Sequence, residues 1–257
     1  MIQTMVFSLL CFLLYSCAHC YAQKHYIDES FKIQLPPEIK AVIINIGCNM
    51  DPPMPPSNES IAVIAVEPVL GTANMIVKHP RLFVITCAIA DYPRFQTLHL
   101  YNIGGKSSSL SELTDKRVWY KKFTNVNPYL KKRDEEYKAA RKLFQPVMQI
   151  VPVMPLQMLL QAIPLHVEIL LLITDMQGYD FVAIQSAGTS LRRVPYLRTE
   201  VNLGNNNAYV NVTNDLDRHW QPHMKEMGYR MVKLKTNGGE GDAFWVLGDH
   251  SNVTNWY

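Results

Sequence analysis

Two carboxylates stand where the chain passes from apolar runs into turn-forming residues. Glu67 follows Ile61–Val66 and is itself followed by Pro68; Asp175 follows Glu168–Thr174 and opens Asp175-Met176-Gln177-Gly178. Short runs of β-branched and apolar residues bounded by turn formers suit buried strands, so both acids fall at strand ends. Ligands of open α/β sheets bind at that edge, and an acid at the tip of the second strand hydrogen-bonds the hydroxyls of a ribose. A third segment, Asn45-Ile46-Gly47-Cys48-Asn49, closes the run Val42–Ile46. Its glycine permits a tight bend and close approach, and its backbone N–H groups are expected to face the amino-acid part of a cofactor. The expectation is a nucleoside-cofactor site built from Asn45, Gly47, Asn49, Glu67 and Asp175, with Gln177 on the substrate side. Two alternatives stay open: an ordinary turn at Gly47, and a helix N-cap at Asp175.

Other residues with chemical potential are fewer. His99 lies on the half-wet strand Thr97–Tyr101 beside the Gly/Ser loop Ile103–Ser111, as a candidate for contact with substrate. His219 and His223 stand four apart, a spacing that two metal ligands on one helix could use. No further Cys, His or acid is placed to complete a shell, so no metal site is assigned. Gly105-Lys106-Ser107 resembles part of a phosphate loop, but Leu100 stands where that motif needs its first glycine. G-x-G-x-x-G is absent as well, which disfavours a dinucleotide.

The elements that must position these groups follow from the pattern. Val42–Ile46 and Ile61–Val66 are the first two strands. Met50–Ser60 between them carries Pro52, Pro53, Pro55 and Pro56, which bar the usual crossover helix, so an extended strap is expected. Leu70–Lys78 is a short helix and Arg81–Ala88 a third strand. Lys121–Leu143 is a charged helical segment, Val147–Val153 a short strand and Met154–Ala162 a helix. Glu168–Thr174 is a strand, Phe181–Ser190 a helix and Tyr196–Val201 another strand. A loop at Asn205–Asn207 leads to a helix over Asp215–Met227, stopped at Gly228. Arg230–Lys235 and Ala243–Leu247 form a terminal hairpin across Asn237-Gly238-Gly239. Strands alternating with helices predict an α/β fold: Rossmann-like and doubly wound, with a mostly parallel sheet and an antiparallel C-terminal hairpin. The expected organisation is a single domain over residues 23–257.

Length and charge narrow the classes. At 257 residues the chain can bury a sizeable core, and a net charge of +3 does not argue for a nucleic-acid partner. Lysines and arginines do gather between Lys116 and Arg133, but Asp134, Glu135 and Glu136 follow at once, as on a solvated helix face. Residues 1–22 have the apolar core and small-residue end of a signal peptide, with an uncleaved Golgi-type anchor as the alternative. Three sequons, at Asn58, Asn211 and Asn252, agree with glycosylation in the secretory pathway. Val151–Ile173 is apolar, but its prolines, glutamines, His166 and Glu168 speak for buried core, and no membrane span is expected in the mature chain. Cys48 and Cys87 remain after the leader. On strands one and three their Cα atoms would stand roughly 9–10 Å apart, beyond the reach of a disulfide at about 7 Å. Two free, buried thiols are expected.

In their order along the chain these segments resemble the FkbM family of S-adenosylmethionine-dependent methyltransferases. The family's Asp-x-Gly-Ala-Asn-x-Gly is matched by Asn45-Ile46-Gly47-Cys48-Asn49-Met50-Asp51, and its Glu-Pro after strand two by Glu67-Pro68. Its Lys-Ile-Asp-Val-Glu-Gly-x-Glu is matched by Ile173-Thr174-Asp175-Met176-Gln177-Gly178-Tyr179-Asp180. Its following Glu-Val strand is matched by Glu200-Val201, and its late Gly-Tyr by Gly228-Tyr229; the resemblance runs from about Val42 to Leu247. Asn45, Gln177 and Ile173 depart from the family's Asp, Glu and Lys, and the last glycine of the first motif is missing. The resemblance implies S-adenosyl-L-methionine as cofactor and O-methylation of a hydroxyl on a sugar, another glycan or a small metabolite. It also implies Glu67 on the ribose and Asp175 at the reacting end, where that acid is the candidate base. The alternative is a secreted, glycosylated binding protein on an inactive methyltransferase scaffold.

Overall fold

The computed structural model describes residues 31–101, 108–112, 147–204 and 209–249. Strands β1 (Ala41–Ile46) and β2 (Ile61–Val66) are buried at every position. Both are unbroken runs without polar alternation, as strands covered on both faces must be. They pair in parallel, and β1 also pairs in parallel with β7 (Glu168–Thr174). With β3 (Leu82–Ile85), β8 (Tyr196–Asn202), β9 (Tyr229–Asn237) and β10 (Glu240–Leu247) they make a seven-stranded sheet ordered β3-β2-β1-β7-β8-β10-β9. Only β10 runs against its neighbours. The protein is therefore α/β with a mostly parallel sheet. Winding proceeds outward from β1 to β3 on one side and from β7 to β8 on the other. The order reverses between β1 and β7, and that is where open α/β sheets bind ligands.

A second, three-stranded sheet is ordered β4 (Ala88–Ala90), β6 (Val147–Pro155), β5 (Arg94–Leu100). The sequence reading makes Arg81–Ala88 one strand; the structure ends β3 at Ile85 and restarts at Ala88 in the smaller sheet, pairing Ala88 with Val153. An apolar run carries no mark of a change of sheet when both sheets are buried. β6 likewise extends through Pro155, and the helix α2 (Leu156–Ala162) starts later than expected.

The main core lies between the large sheet and α2, α3 (Asp180–Ser186) and α4 (Gln221–Glu226). It includes Val42, Ile44, Ile46, Ile64, Phe181, Trp220 and Trp245. Each fully buried aliphatic or aromatic side chain of this kind stabilises by about 1.5–3 kcal/mol. Trp220 is wholly buried, stacks on Trp245 at 6.1 Å and donates its indole N–H to Asn214 Oδ1 at 2.9 Å. The expected helix Asp215–Met227 is built in two pieces. Asp215 accepts from Arg218 N at 2.8 Å and caps a π-helical turn, Leu216–Trp220, before α4 begins. Pro222 has no N–H for the preceding ladder and belongs at a helix start. The expected helix Phe181–Ser190 also divides: α3 stops at Ser186, and Gly188, at φ +51°, opens a 3-10 helix over Gly188–Arg193.

The proline-rich link from β1 to β2 contains no helix. Arg81, at the head of β3, holds it in place. The guanidinium donates to the carbonyls of Pro56 at 2.9 Å, Asn58 at 2.7 Å and Ile61 at 2.7 Å. A helix α1 (Leu70–Met75) follows β2 and is shorter than the expected Leu70–Lys78. Among the described residues no helix is long and apolar enough to cross a membrane. The leader 1–22, the segment Lys121–Leu143, Asn205–Asn207, Asn252 and most of Ile103–Ser111 lie outside the described residues.

Candidate functional site

The C-terminal ends of β1, β2 and β7 converge on a cavity of about 290 Å³, close to the lower end of the roughly 300–1,000 Å³ range of ligand sites. The bend Ile46–Asn49, Asp51, Glu67-Pro68 and the turn Asp175–Gln177 form one side of it. Cys87, Ala88 and Ile89 form another, with Leu98, Ser108, Ser109, Leu110 and Tyr179 closing it. Gly47, Asn49, Glu67, Asp175 and Gln177 therefore share one cavity.

Glu67 is 6% exposed, and its carboxylate bridges two segments. Oε2 accepts from Asn49 N and Oε1 from Val69 N, each at 2.9 Å. Burial pushes its pKa up, and the two backbone N–H groups pull it back. Each oxygen keeps lone pairs for a donor in the cavity.

The first bend works differently from the sequence reading. Gly47 N and Cys48 N both donate to Val66 O, at 2.9 and 3.4 Å, and Asn49 N goes to Glu67. These three N–H groups zip the bend to the end of β2 and do not serve a cofactor tail. Gly47 is required for another reason. Its φ is +74°, and a Cβ there would stand 1.9 Å from the carbonyl oxygen of Asp175. The bend after β1 and the turn after β7 touch backbone to backbone, and only glycine lets them.

Asn45 is 7% exposed and does not line the cavity. Successive residues of a strand face opposite sides; Ile46 reaches the wall, and Asn45 turns to the other face. The expected place of Asn45 beside a cofactor is therefore not on this cavity's wall. Asn49 does reach the cavity, and its side-chain Oδ1 is buried there without a hydrogen-bond partner, as is Ser108 Oγ. Buried polar atoms are normally paired, so these two are ready to meet a ligand.

His99 does not line this cavity. It is 8% exposed and stacked 6.2 Å from the Tyr101 ring, with its Nδ1 buried and without a hydrogen-bond partner among the described residues, while its neighbour Leu98 lines the cavity. Alternation along β5 explains the difference. His219 and His223 pack against the Phe181 ring at 5.7 and 5.5 Å, and among the described residues no group of Cys, His and acids is arranged to hold a metal.

Asp175 stands at the exposed rim of the cavity, accepting from Gln177 Nε2 at 2.8 Å. Surrounding protein raises its pKa by desolvation; the Gln177 N–H lowers it, Asp242 raises it and Arg198 lowers it. The rim position keeps some solvent contact, which tempers the desolvation. Beneath it Asp180 is wholly buried and holds Met176 N with both oxygens at 3.2 Å. Burial, then the Asp175 charge, pushes Asp180 up to about 7. Glu200 of β8 is raised well above its ordinary value by burial and then by Asp175, Asp180, Glu240 and Asp242. Burial and mutual repulsion thus raise Asp175, Asp180 and Glu200 together.

Cys48 and Cys87 are both free, buried and on the cavity wall, and burial pushes each thiol up to about 12. Tyr179 lines the cavity and Asp180 lies beneath it, both from the motif that follows β7, although the sequence reading gave neither a role. Tyr209 reaches the site from a distant segment, through Gln177, and no signal in the sequence marks it.

No family model matches the chain, and no curated protein sequence or solved structure matches it.

Proposed function

We propose that the cavity binds S-adenosyl-L-methionine and that the protein is a Rossmann-like methyltransferase acting on a hydroxyl. The observation that carries this reading is the single cavity shared by Glu67, Gly47 and Asp175 where the strand order reverses. A carboxylate at the tip of β2 suits a ribose diol, because it offers acceptor lone pairs to two O–H donors. The apolar wall of Ala88, Ile89, Leu98 and Leu110 suits a purine face. Asn49 Oδ1, Asp51 and Asp175 are acceptors, which favours a ligand tail bearing an ammonium. Antiparallel insertion of β10 between β8 and β9 is also the way methyltransferases of this class end their sheet.

The bound cofactor would supply an activated methyl group, leaving alignment as the protein's main task. Asp175 would take the acceptor's proton, and its raised pKa makes it a better base than an ordinary carboxylate. The acceptor class, a sugar, glycan or small metabolite, comes from the family resemblance. Secretory routing with glycans at the exposed Asn58 and Asn211 belongs to the same reading.

A second reading, a binding protein on a scaffold that has lost catalysis, is favoured by one observation. The N–H groups of Gly47, Cys48 and Asn49 are consumed within the protein and cannot hold a cofactor's carboxylate. Titration calorimetry with S-adenosylmethionine and S-adenosylhomocysteine separates the two. Saturable heat that Glu67→Gln weakens about 10-fold or more supports the enzyme, since one amide oxygen cannot satisfy both backbone donors and a ribose. No heat from a folded sample at millimolar ligand rejects the nucleoside site.

A further inference from the structure

We propose that Tyr209 is a positioning residue for Asp175, acting through the side chain of Gln177. Tyr209 does not line the cavity. Its hydroxyl donates to Gln177 Oε1 at 2.8 Å, and Gln177 Nε2 donates to Asp175 Oδ1 at 2.8 Å. The two contacts fix the amide in one orientation, because its reversed form would set an oxygen against the Asp175 carboxylate. The phenol O–H caps the amide oxygen and so steadies the N–H that Asp175 receives.

The surroundings hold this relay in place. Gly178 is at φ +98°, and a Cβ there would meet Val212 Cγ1 at 2.9 Å and Tyr209 Cδ2 at 3.2 Å. The segment Tyr209–Val212 is therefore seated directly on the turn after β7. Val210 N reaches Glu112 O at 2.7 Å, and Ser109 Oγ donates to Gln177 O at 2.9 Å. Gln177 itself sits at φ +53°, a conformation that costs a non-glycine residue of order 1 kcal/mol and persists where its contacts demand it. A glutamate here, as in the family motif it resembles, has no N–H to offer Asp175. The glutamine is thus a working substitution and not a simple loss of charge.

The groups facing Asp175 come from several neighbouring elements. Gln177 and Asp180 face it from its own turn and α3, Arg198 and Glu200 from β8, Asp242 from β10, and Tyr209 from the segment seated on the turn. Asp51 and Glu67 line the same cavity. Arg198 is paired with Asp242 at 2.9 Å. The Gln177 N–H is accordingly the nearest neutral donor on an acid-rich rim.

Tyr209→Phe removes one hydroxyl and keeps the ring on Gly178. In protein labelled at the aspartate carboxyl carbons, with Asp175→Asn to assign the signal, NMR follows the titration of Asp175. Tyr209→Phe and Gln177→Leu are both expected to titrate at higher pH than wild type, with unfolding temperatures showing that both fold. Should Tyr209→Phe titrate as wild type while Gln177→Leu shifts, Tyr209 only packs and the proposal is overturned. If neither shifts, the relay is absent. A second arm rests on the nucleoside reading: S-adenosylhomocysteine is expected to bind each variant about 3- to 10-fold more weakly at neutral pH. A wild type that does not bind it would remove that reading, and the titration would still decide the relay.

Discussion

Gly47 illustrates how a residue can be read correctly for a wrong reason. The sequence marks it as a bend beside a ligand, and it does border the cavity. What forbids a side chain, however, is the Asp175 carbonyl and a φ of +74°. Gly47→Ala combines a left-handed penalty of about 1–2 kcal/mol with a clash that must part the two turns. It is expected to cost more than about 2 kcal/mol in chemical denaturation and, on the proposed reading, to abolish nucleoside binding. A loss below about 1 kcal/mol would mean that the turns separate easily. Glu67 and Asp175 were legible because each ends an apolar run. Asn45 and His99 stand off the cavity wall because a sequence names the strand, while one step of alternation decides the face. Ser108 and Ser109 were marked only as part of a Gly/Ser loop, and Tyr209 carried no local mark at all.

At the scale of elements, uniform burial made β1, β2 and β7 easy to read. The small sheet was not, since β4 and β6 pair across more than fifty residues of chain and look like continuations of their neighbours. The four prolines correctly excluded a crossover helix, but nothing in them tells what replaces its packing. Arg81 does so by three hydrogen bonds to the strap's carbonyls. Arg193 plays a comparable part after α2, donating to the carbonyls of Leu160, Ile163, Pro164 and Val167. Arg81→Ala is expected to cost about 2 kcal/mol in urea unfolding, as charged hydrogen bonds to half-buried carbonyls are lost together. It should also speed proteolytic cutting within Met50–Ser60. Unchanged stability and unchanged cutting would show that the strap holds itself.

Across the whole molecule, the acids near the β7 turn set the response to pH. Burial and the neighbouring Asp175 charge push Asp180 from its ordinary 3.8 up to about 7 in the folded chain. Between those values the folded chain holds a proton that the unfolded chain has released, so stability falls as pH rises through that window. Glu67, Asp175 and Glu200 are raised too and act in the same direction. His223, pushed down by burial, opposes them below its usual value. The unfolding temperature is expected to be higher near pH 5 than near pH 7, and Asp180→Asn should flatten the difference while keeping one acceptor for Met176 N. A variant as pH-sensitive as wild type would acquit Asp180. Finally, the carboxylate of Glu67 already ties Asn49 to Val69 before any guest arrives. At this corner the seat stands ready-made, so on the proposed reading a guest that meets Glu67 would find Asn49 and Val69 already ordered, and little of their freedom would be surrendered.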